Sequence, residues 1–217
     1  MISIESIISE VDKSKLQHRT TSFLLQFVFL IIEKSLKSAF GQNYSDKCLQ
    51  SSYGINHLLN KIGIESDIYK CELKALEVYE LDGEIKFCWG GFSDESYHVF
   101  LMTQFSEIVD FTFSLLYKDP NLINKNVYKT HPIWWCSDSN IPDYIQYKNF
   151  TKLNIEDSFK QSATDFIDLL DKQFKDTIHN HCEKDIEYYP ILINEKTINE
   201  LIKQKDPWLF NIAKSLK

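Results

Sequence analysis

The chain has almost no arginine: of its 24 basic residues only Arg19 is one, and the formal net charge is −7. Phosphate backbones are gripped by concentrated Lys and Arg, so nucleic acid is not an expected partner. A long hydrophobic run is also missing. The most apolar stretch, FLLQFVFLII from Phe23 to Ile32, is about half the length a bilayer-spanning helix needs, and Gln26 interrupts it. It reads as a buried helix, and no membrane partner is expected. The first 22 residues mix Glu5, Glu10, Asp12, Lys13 and Lys15 with apolar positions, unlike a secretory leader; the expectation is a cytoplasmic protein. The five cysteines, Cys48, Cys71, Cys88, Cys136 and Cys182, are odd in number and widely spaced, with no CxxC. That pattern supports neither a disulfide framework nor a tetrahedral zinc site. No internal repeat or low-complexity linker divides the sequence, so residues 1–217 are read as a single domain.

What is present is a normal globular composition, 43% hydrophobic and 25% charged, enough to bury a sizeable core. Ile4, Ile7, Ile8 and Val11 have helical spacing over residues 2–12. A second helix is predicted from Thr20 to Ala39, stopped by Gly41. A third begins near Cys48, with Ser45 or Asp46 as its cap; Ile55, Leu58, Leu59 and Ile62 form its apolar face, and it ends at Gly63. The middle of the chain reads as sheet. SDIYKCEL alternates, VYELDGEIKFCW carries an Asp82-Gly83 hairpin signal, and HVFLMTQFSEIVDFTF suggests two short strands joined near Gln104–Glu107. WGGFSDES reads as a loop between them. Residues 117–150, with three prolines and the cluster HPIWWC, suggest a long packed loop with short strands. An amphipathic helix is expected from Asn154 to about Ile178, and another from Thr197 to Leu216, bent or broken at Pro207. Helices, then an antiparallel sheet, then helices make an α+β layout.

Within that layout one cysteine stands apart. A thiol nucleophile needs conditions that favour its thiolate, a histidine to hold and return the proton, and a group to orient the histidine. Backbone N–H groups and the macrodipole at a helix N-terminus favour an anion. Cys48 lies in the first turn of its predicted helix; the other cysteines fall on strands, in a loop or at a helix end. His98 opens an apolar strand and Asp110 lies twelve residues later on the next. A hairpin centred near Gln104 puts the two directly opposite each other on one face. Asp110 then holds one imidazole nitrogen while the other faces the thiol. The alternative for Cys48 is a buried structural thiol, and for His98 a satisfied sheet histidine.

This order resembles the transglutaminase-like superfamily of cysteine enzymes, which shares a core with papain-like proteases. Three pieces carry the likeness: the cysteine helix running into Leu58-Leu59-Asn60-Lys61-Ile62-Gly63-Ile64, then His98-Val99-Phe100, then Val109-Asp110-Phe111-Thr112. Together they span about residues 42–113. Arylamine N-acetyltransferases and several bacterial peptidases share this core. The departures are Asp46 and Leu49 where the family often has Gly and Trp, and Phe111 where it often has Pro. The resemblance implies a papain- or transglutaminase-like fold flanked by helical segments. It also implies acyl transfer through a thioester, with Cys48 as nucleophile, His98 as general base and acid and Asp110 as orienting carboxylate. The expected substrate is a peptide or small amide. With water as acceptor the protein is a peptidase or amidase, and with an amine a transferase. That chemistry requires no metal or organic cofactor, although an acetyltransferase would draw on acetyl-CoA as donor. Gln42, six residues before Cys48, has the spacing of the oxyanion-hole glutamine in papain-like proteases; it reads equally as a solvated loop residue. Two other classes stay open: an inactive binding module that keeps the fold, and a structural protein in which Cys48, His98 and Asp110 never meet.

Three further features point away from the chemistry. His57, nine residues beyond Cys48, falls on the far side of the same helix. Trp134-Trp135 read as core or pocket wall. His179-Asn180-His181-Cys182 reads as a polar helix end, because no second cluster completes a metal site.

Overall fold

The computed structural model describes residues 2–42, 44–92, 96–118, 126–136, 139–180 and 189–216. Helix α1 spans Ile4–Gln17, started by a Ser3/Ser6 capping box and closed by His18 in the left-handed conformation. It outruns the expected end at residue 12 because its last turns are polar on the outer face and carry only Val11 and Ser14 inward. Helix α2 (Ser22–Phe40) buries ten residues and ends at Gly41. Helix α3 (Cys48–Ile62) turns Ile55, Leu58 and Leu59 inward and stops at Gly63, whose φ of 89° needs glycine. α3 lies tight between its neighbours. A Cβ on Gly54 would come within 2.9 Å of Leu170 and Ile32 side-chain carbons.

The sheet is organised around one long strand, β1 (Ser66–Leu81). Its two ends were legible separately, as SDIYKCEL and as VYEL before the hairpin turn; the structure makes them one continuous strand. β2 (Glu84–Phe92) and β3 (His98–Thr103) both pair antiparallel with β1, as does β7 (Ile145–Lys152). Residues 73–75 are flanked by β2 and β7, and residues 69–70 by β3 and β7. β2 and β3 therefore follow one another along the same edge of β1. Phe92 pairs with Leu73 and His98 with Cys71, so His98 is the residue at which the chain rejoins that edge. On the far side of β3 come β4 (Ile108–Asp110) and β6 (Ile133–Trp135), while the short β5 (Asn126–Val127) pairs with the end of β1.

Asp82 and Gly83, both at positive φ, make the expected two-residue turn between β1 and β2. The expected loop at Trp89-Gly90-Gly91-Phe92 is instead the end of β2. Glycine is there for close approach rather than for a turn. A Cβ on Gly90 would fall 2.0 Å from Glu77 Oε1, and one on Gly91 2.0 Å from the Leu73 carbonyl oxygen.

After β4 a 3₁₀ helix covers Thr112–Lys118. The helix expected over 154–178 is two, α4 (Asp157–Ser162) and α5 (Thr164–Asn180), parted at Ala163. The last helix is likewise two, α6 (Glu195–Lys203) and α7 (Pro207–Ser215), with Pro207 in the first turn of α7, where its missing N–H is harmless.

The chain is thus α+β, with an antiparallel sheet between two apolar layers. One core joins α1, α2, α3 and α5 to the sheet through Ile68, Val99, Leu101 and Val109. The other joins Leu73, Ala75 and Phe100 to the 3₁₀ helix, β6, α6 and α7. Trp134 belongs to the first and Trp135 to the second, and both are buried. The β3–β4 hairpin is fastened by Glu107, 1% exposed, which accepts hydrogen bonds from Thr20 N (2.8 Å), Thr20 Oγ1 (2.6 Å), Thr103 Oγ1 (3.0 Å) and Trp134 Nε1 (3.0 Å). Among the described residues no helix is long and apolar enough to cross a membrane.

Candidate functional site

Cys48 is the first residue of α3. The cap position is Lys47, not Ser45 or Asp46, and it makes no side-chain capping bond among the described residues; the Asp46 carboxylate instead takes the Lys47 ammonium at 2.7 Å. The first-turn N–H groups of α3 are left for another acceptor. Cys48 itself is half-buried against the first core.

His98 and Asp110 meet, though not in the register expected. Leu101 pairs with Val109 and Met102 with Ile108, which centres the hairpin on Phe105 rather than Gln104. The loop is three residues, with Ser106 left-handed at φ 61° and the Thr103 N–H bonded to the Glu107 carbonyl. By that register Asp110 stands opposite Phe100, and His98 is its diagonal neighbour on the same face. Diagonal Cα atoms lie roughly 7–8 Å apart, within reach of long side chains. His98 Nε2 donates to Asp110 Oδ2 at 2.6 Å, and both side chains are 1% exposed.

Four donors converge on Asp110. Oδ2 accepts from His98 Nε2 and from the Tyr147 hydroxyl at 2.8 Å; Oδ1 accepts from Thr112 Oγ1 and the Phe113 backbone N–H, each at 3.0 Å. Burial alone would push this carboxyl up. The His98 charge and the donors from His98, Tyr147 and Thr112 outweigh that and hold it below the ordinary carboxylate range. Burial likewise works against the charged form of His98. The Asp110 carboxylate overrides it, with a further contribution from the Cys48 thiol beside the ring, and the imidazole is raised to about 10. Tyr147 is half-buried; desolvation of its hydroxyl and the Asp110 carboxylate it donates to hold the phenol well above its ordinary value.

The other ring nitrogen, Nδ1, is buried and has no aligned hydrogen bond among the described residues. Cys48 therefore lies close to the ring without a formed thiol–imidazole hydrogen bond. Phe92 stacks on the ring, 5.4 Å between centroids and 20° between planes. Cys71, opposite His98 on β1, is 3% exposed. Burial first, then the charges of Asp110 and Cys48, push its thiol well above the ordinary value, which leaves it a protonated core residue.

The remaining residues singled out in the sequence lie elsewhere. Gln42 is exposed just past Gly41, on a cavity of about 220 Å³ walled by Glu33, Lys37, Tyr44, Phe111 and His131 among others; none of Cys48, His98 and Asp110 lines it. His57 Nε2 bonds Asp171 Oδ1 at 2.7 Å, with the Lys61 ammonium on the same oxygen at 2.9 Å, tying α3 to α5. His179 caps the end of α5 by donating to the Lys175 carbonyl at 2.7 Å; His181 and Cys182 lie outside the described residues. Among the described residues no three His, Cys, Asp or Glu side chains cluster as metal ligands.

Two features were missed in the sequence. Tyr147 arrives from β7, beyond the segment that carried the motifs. A second His–Asp pair, His131 Nε2 to Asp206 Oδ2 at 2.7 Å, joins residues 75 apart in the chain, and Asp206 also caps α7 through the Leu209 N–H. Thr112 was legible, since it closes the Asp110-Phe111-Thr112 motif.

No family model matches the chain, and no curated protein matches it. A crystal structure from a genomics programme is similar at a TM-score of 0.37 and 10% identity, over 76% of this chain and 82% of that one.

Proposed function

We propose that the chain is a cysteine-dependent acyl-transfer enzyme with a transglutaminase-like core, acting on a peptide or small amide. The observation that carries this reading is the buried His98–Asp110 pair, 2.6 Å apart, with the Cys48 thiol beside the imidazole at the open start of α3. In this reading Cys48 sulfur attacks the amide carbonyl and an S–C bond forms. The C–N bond then breaks, and the proton held on His98 Nδ1 goes to the departing nitrogen. Water, or an amine, next loses a proton to His98 as it attacks the thioester, and the S–C bond breaks to return the thiol. The first N–H groups of α3 are the donors for the oxyanion in both steps. Asp110 keeps Nε2 protonated and the ring turned toward the thiol. The scheme needs no metal or organic cofactor when water accepts the acyl group. It also suits a cytoplasmic protein, whose thiols stay reduced.

The test is acylation of Cys48 by p-nitrophenyl acetate, read by peptide mass spectrometry. The expected result is an acetyl group on Cys48 in the wild type, none after Cys48→Ala, and a persistent one after His98→Ala where any forms. No acyl group on Cys48 at any pH between 5 and 9 would count against the reading. One observation favours a second reading, an inactive binding module: His98 is closed off at 1% exposure. In that case Cys48 stays unacylated while the fold is intact.

A further inference from the structure

Tyr147 belongs to none of the motifs that point to Cys48, yet it touches the Asp110 oxygen that holds His98. Tyr147 stands on β7 opposite Leu73, so it reaches the dyad from the edge of β1 that faces away from β2 and β3. Its ring packs against Phe100, with centroids 5.1 Å apart, and its hydroxyl donates to Asp110 Oδ2 at 2.8 Å. That oxygen already accepts His98 Nε2 at 2.6 Å. Oδ1 is filled by Thr112 and the Phe113 N–H. The carboxylate is thus saturated, and its rotation is blocked from both sides.

We propose that Tyr147 is a positioning residue of the Cys48 centre: its hydroxyl fixes Asp110 Oδ2 in line with His98 and takes up part of the carboxylate charge, so that His98 can release its proton. The inference rests on the acyl-transfer reading. Its logic is that of a balanced general acid. A bare buried carboxylate against the ring would hold the imidazolium so firmly that no leaving group could take the proton, whereas a suitable acid has an affinity near the working pH. Each further donor on Asp110 weakens the pull on His98. The titratable groups facing the dyad from the packed elements are Cys48 on α3, Cys71 on β1 and Tyr147 on β7; Cys71 stays protonated, and Tyr147 is the one of the three that donates to the carboxylate, on Oδ2, while Thr112 and the Phe113 N–H fill Oδ1.

The sign of this effect separates it from a purely structural role. Tyr147→Phe keeps the ring packing and removes one donor. It should move the titration of His98 to higher pH, by about half a unit or more. Asp110→Asn should move it to lower pH. Thr112→Val, which strips a donor from Oδ1, should follow Tyr147→Phe in direction. The readout is a ¹⁵N NMR titration of the His98 ring in each variant, with thermal melting as the check on folding, alongside the pH profile of Cys48 alkylation. Upward shifts in Tyr147→Phe and Thr112→Val support the proposal. A Tyr147→Phe curve that overlays wild type, or moves down with Asp110→Asn, overturns it. The ring titration decides this even where Cys48 proves unreactive, and an unreactive wild-type Cys48 is the separate result that sinks the acyl-transfer reading.

Discussion

At the residue scale the protein separates two thiols whose addresses differ. Cys48 is half-buried at a helix start beside an imidazole; Cys71 is buried in a strand facing the same His98–Asp110 pair. Native-state labelling with a small electrophile is therefore expected to modify Cys48 and leave Cys71 untouched until the protein unfolds; peptide mass spectrometry reads both in one digest. Asp110→Asn carries the largest expected penalty of any change at the dyad. It swaps a carboxylate held by four donors for an amide whose NH₂ group must face one of them, and breaking a buried ion pair in this way costs roughly 3–5 kcal/mol. Urea unfolding measures it. Cys48, His98 and Asp110 were legible because each carries its own local sign: a thiol at a helix start, a histidine opening an apolar strand, an acidic residue an even number of positions later. The even spacing fixed the shared face but not the register. That was set by the three-residue loop and Ser106 in the left-handed conformation, which a serine does not announce. Tyr147 was illegible for a different reason. Its role depends on β7 lying along β1, and nothing near Tyr147 in sequence encodes that pairing.

At the element scale the lesson lies in the glycines. Gly90-Gly91 read as a loop because two adjacent glycines weaken a strand. In the fold they let β2 press against β1, with the Glu77 carboxylate over Gly90 and the Leu73 carbonyl against Gly91. Substitution to alanine should thus destabilise in the order Gly91, Gly90, Gly83. At Gly91 the obstruction is backbone and φ is 127°; at Gly90 it is a buried side chain; at Gly83 there is open space and only the φ of 78° to strain. The Gly83 change should cost about 1 kcal/mol, and denaturant midpoints across the three variants test the order. The helices were more legible than the strands. The apolar faces of α2, α3 and α5 repeat at helical spacing, while the middle of β1, LKALE, alternates too loosely to join SDIYKCEL to the VYEL of the hairpin. The break at Ala163 shows the limit of periodicity, which runs on across a one-turn interruption, whereas the break before Pro207 was legible from the proline itself. Glu107 is the fastening of the hairpin that carries both His98 and Asp110. Glu107→Ala would leave four buried donors unpaired and cost on the order of 3 kcal/mol, with the site lost along with the hairpin; thermal unfolding and the His98 ring signal should fall together.

At the scale of the whole molecule, the buried dyad ties stability to pH from both sides. Asp110 is held below its ordinary 3.8, so its contribution is present above that pH and is lost as pH falls through the depressed value. His98 is raised from 6.5 to about 10, so its contribution is full below pH 6.5 and drains away as pH rises toward 10. Wild type should therefore exceed Asp110→Asn in stability by the widest margin between about pH 4 and 6.5, with the gap closing at higher pH; urea midpoints at a series of pH values give the curve. The α+β layout was legible from the order of helix and strand patterns alone. The placing of β7 beside β1, and the closure of the second face by α6 and α7, were not, because those contacts join parts of the chain that are distant in sequence.

Whether Cys48 and His98 form a working pair is read from the pH dependence of Cys48 alkylation with iodoacetamide in wild type, His98→Ala and Asp110→Asn. Rapid labelling of Cys48 below about pH 7 that is lost without His98 is the expected result, the mark of a thiolate held by an imidazolium. Labelling that rises only near pH 8.5, as for an ordinary thiol, and is unchanged by removing His98 would contradict it.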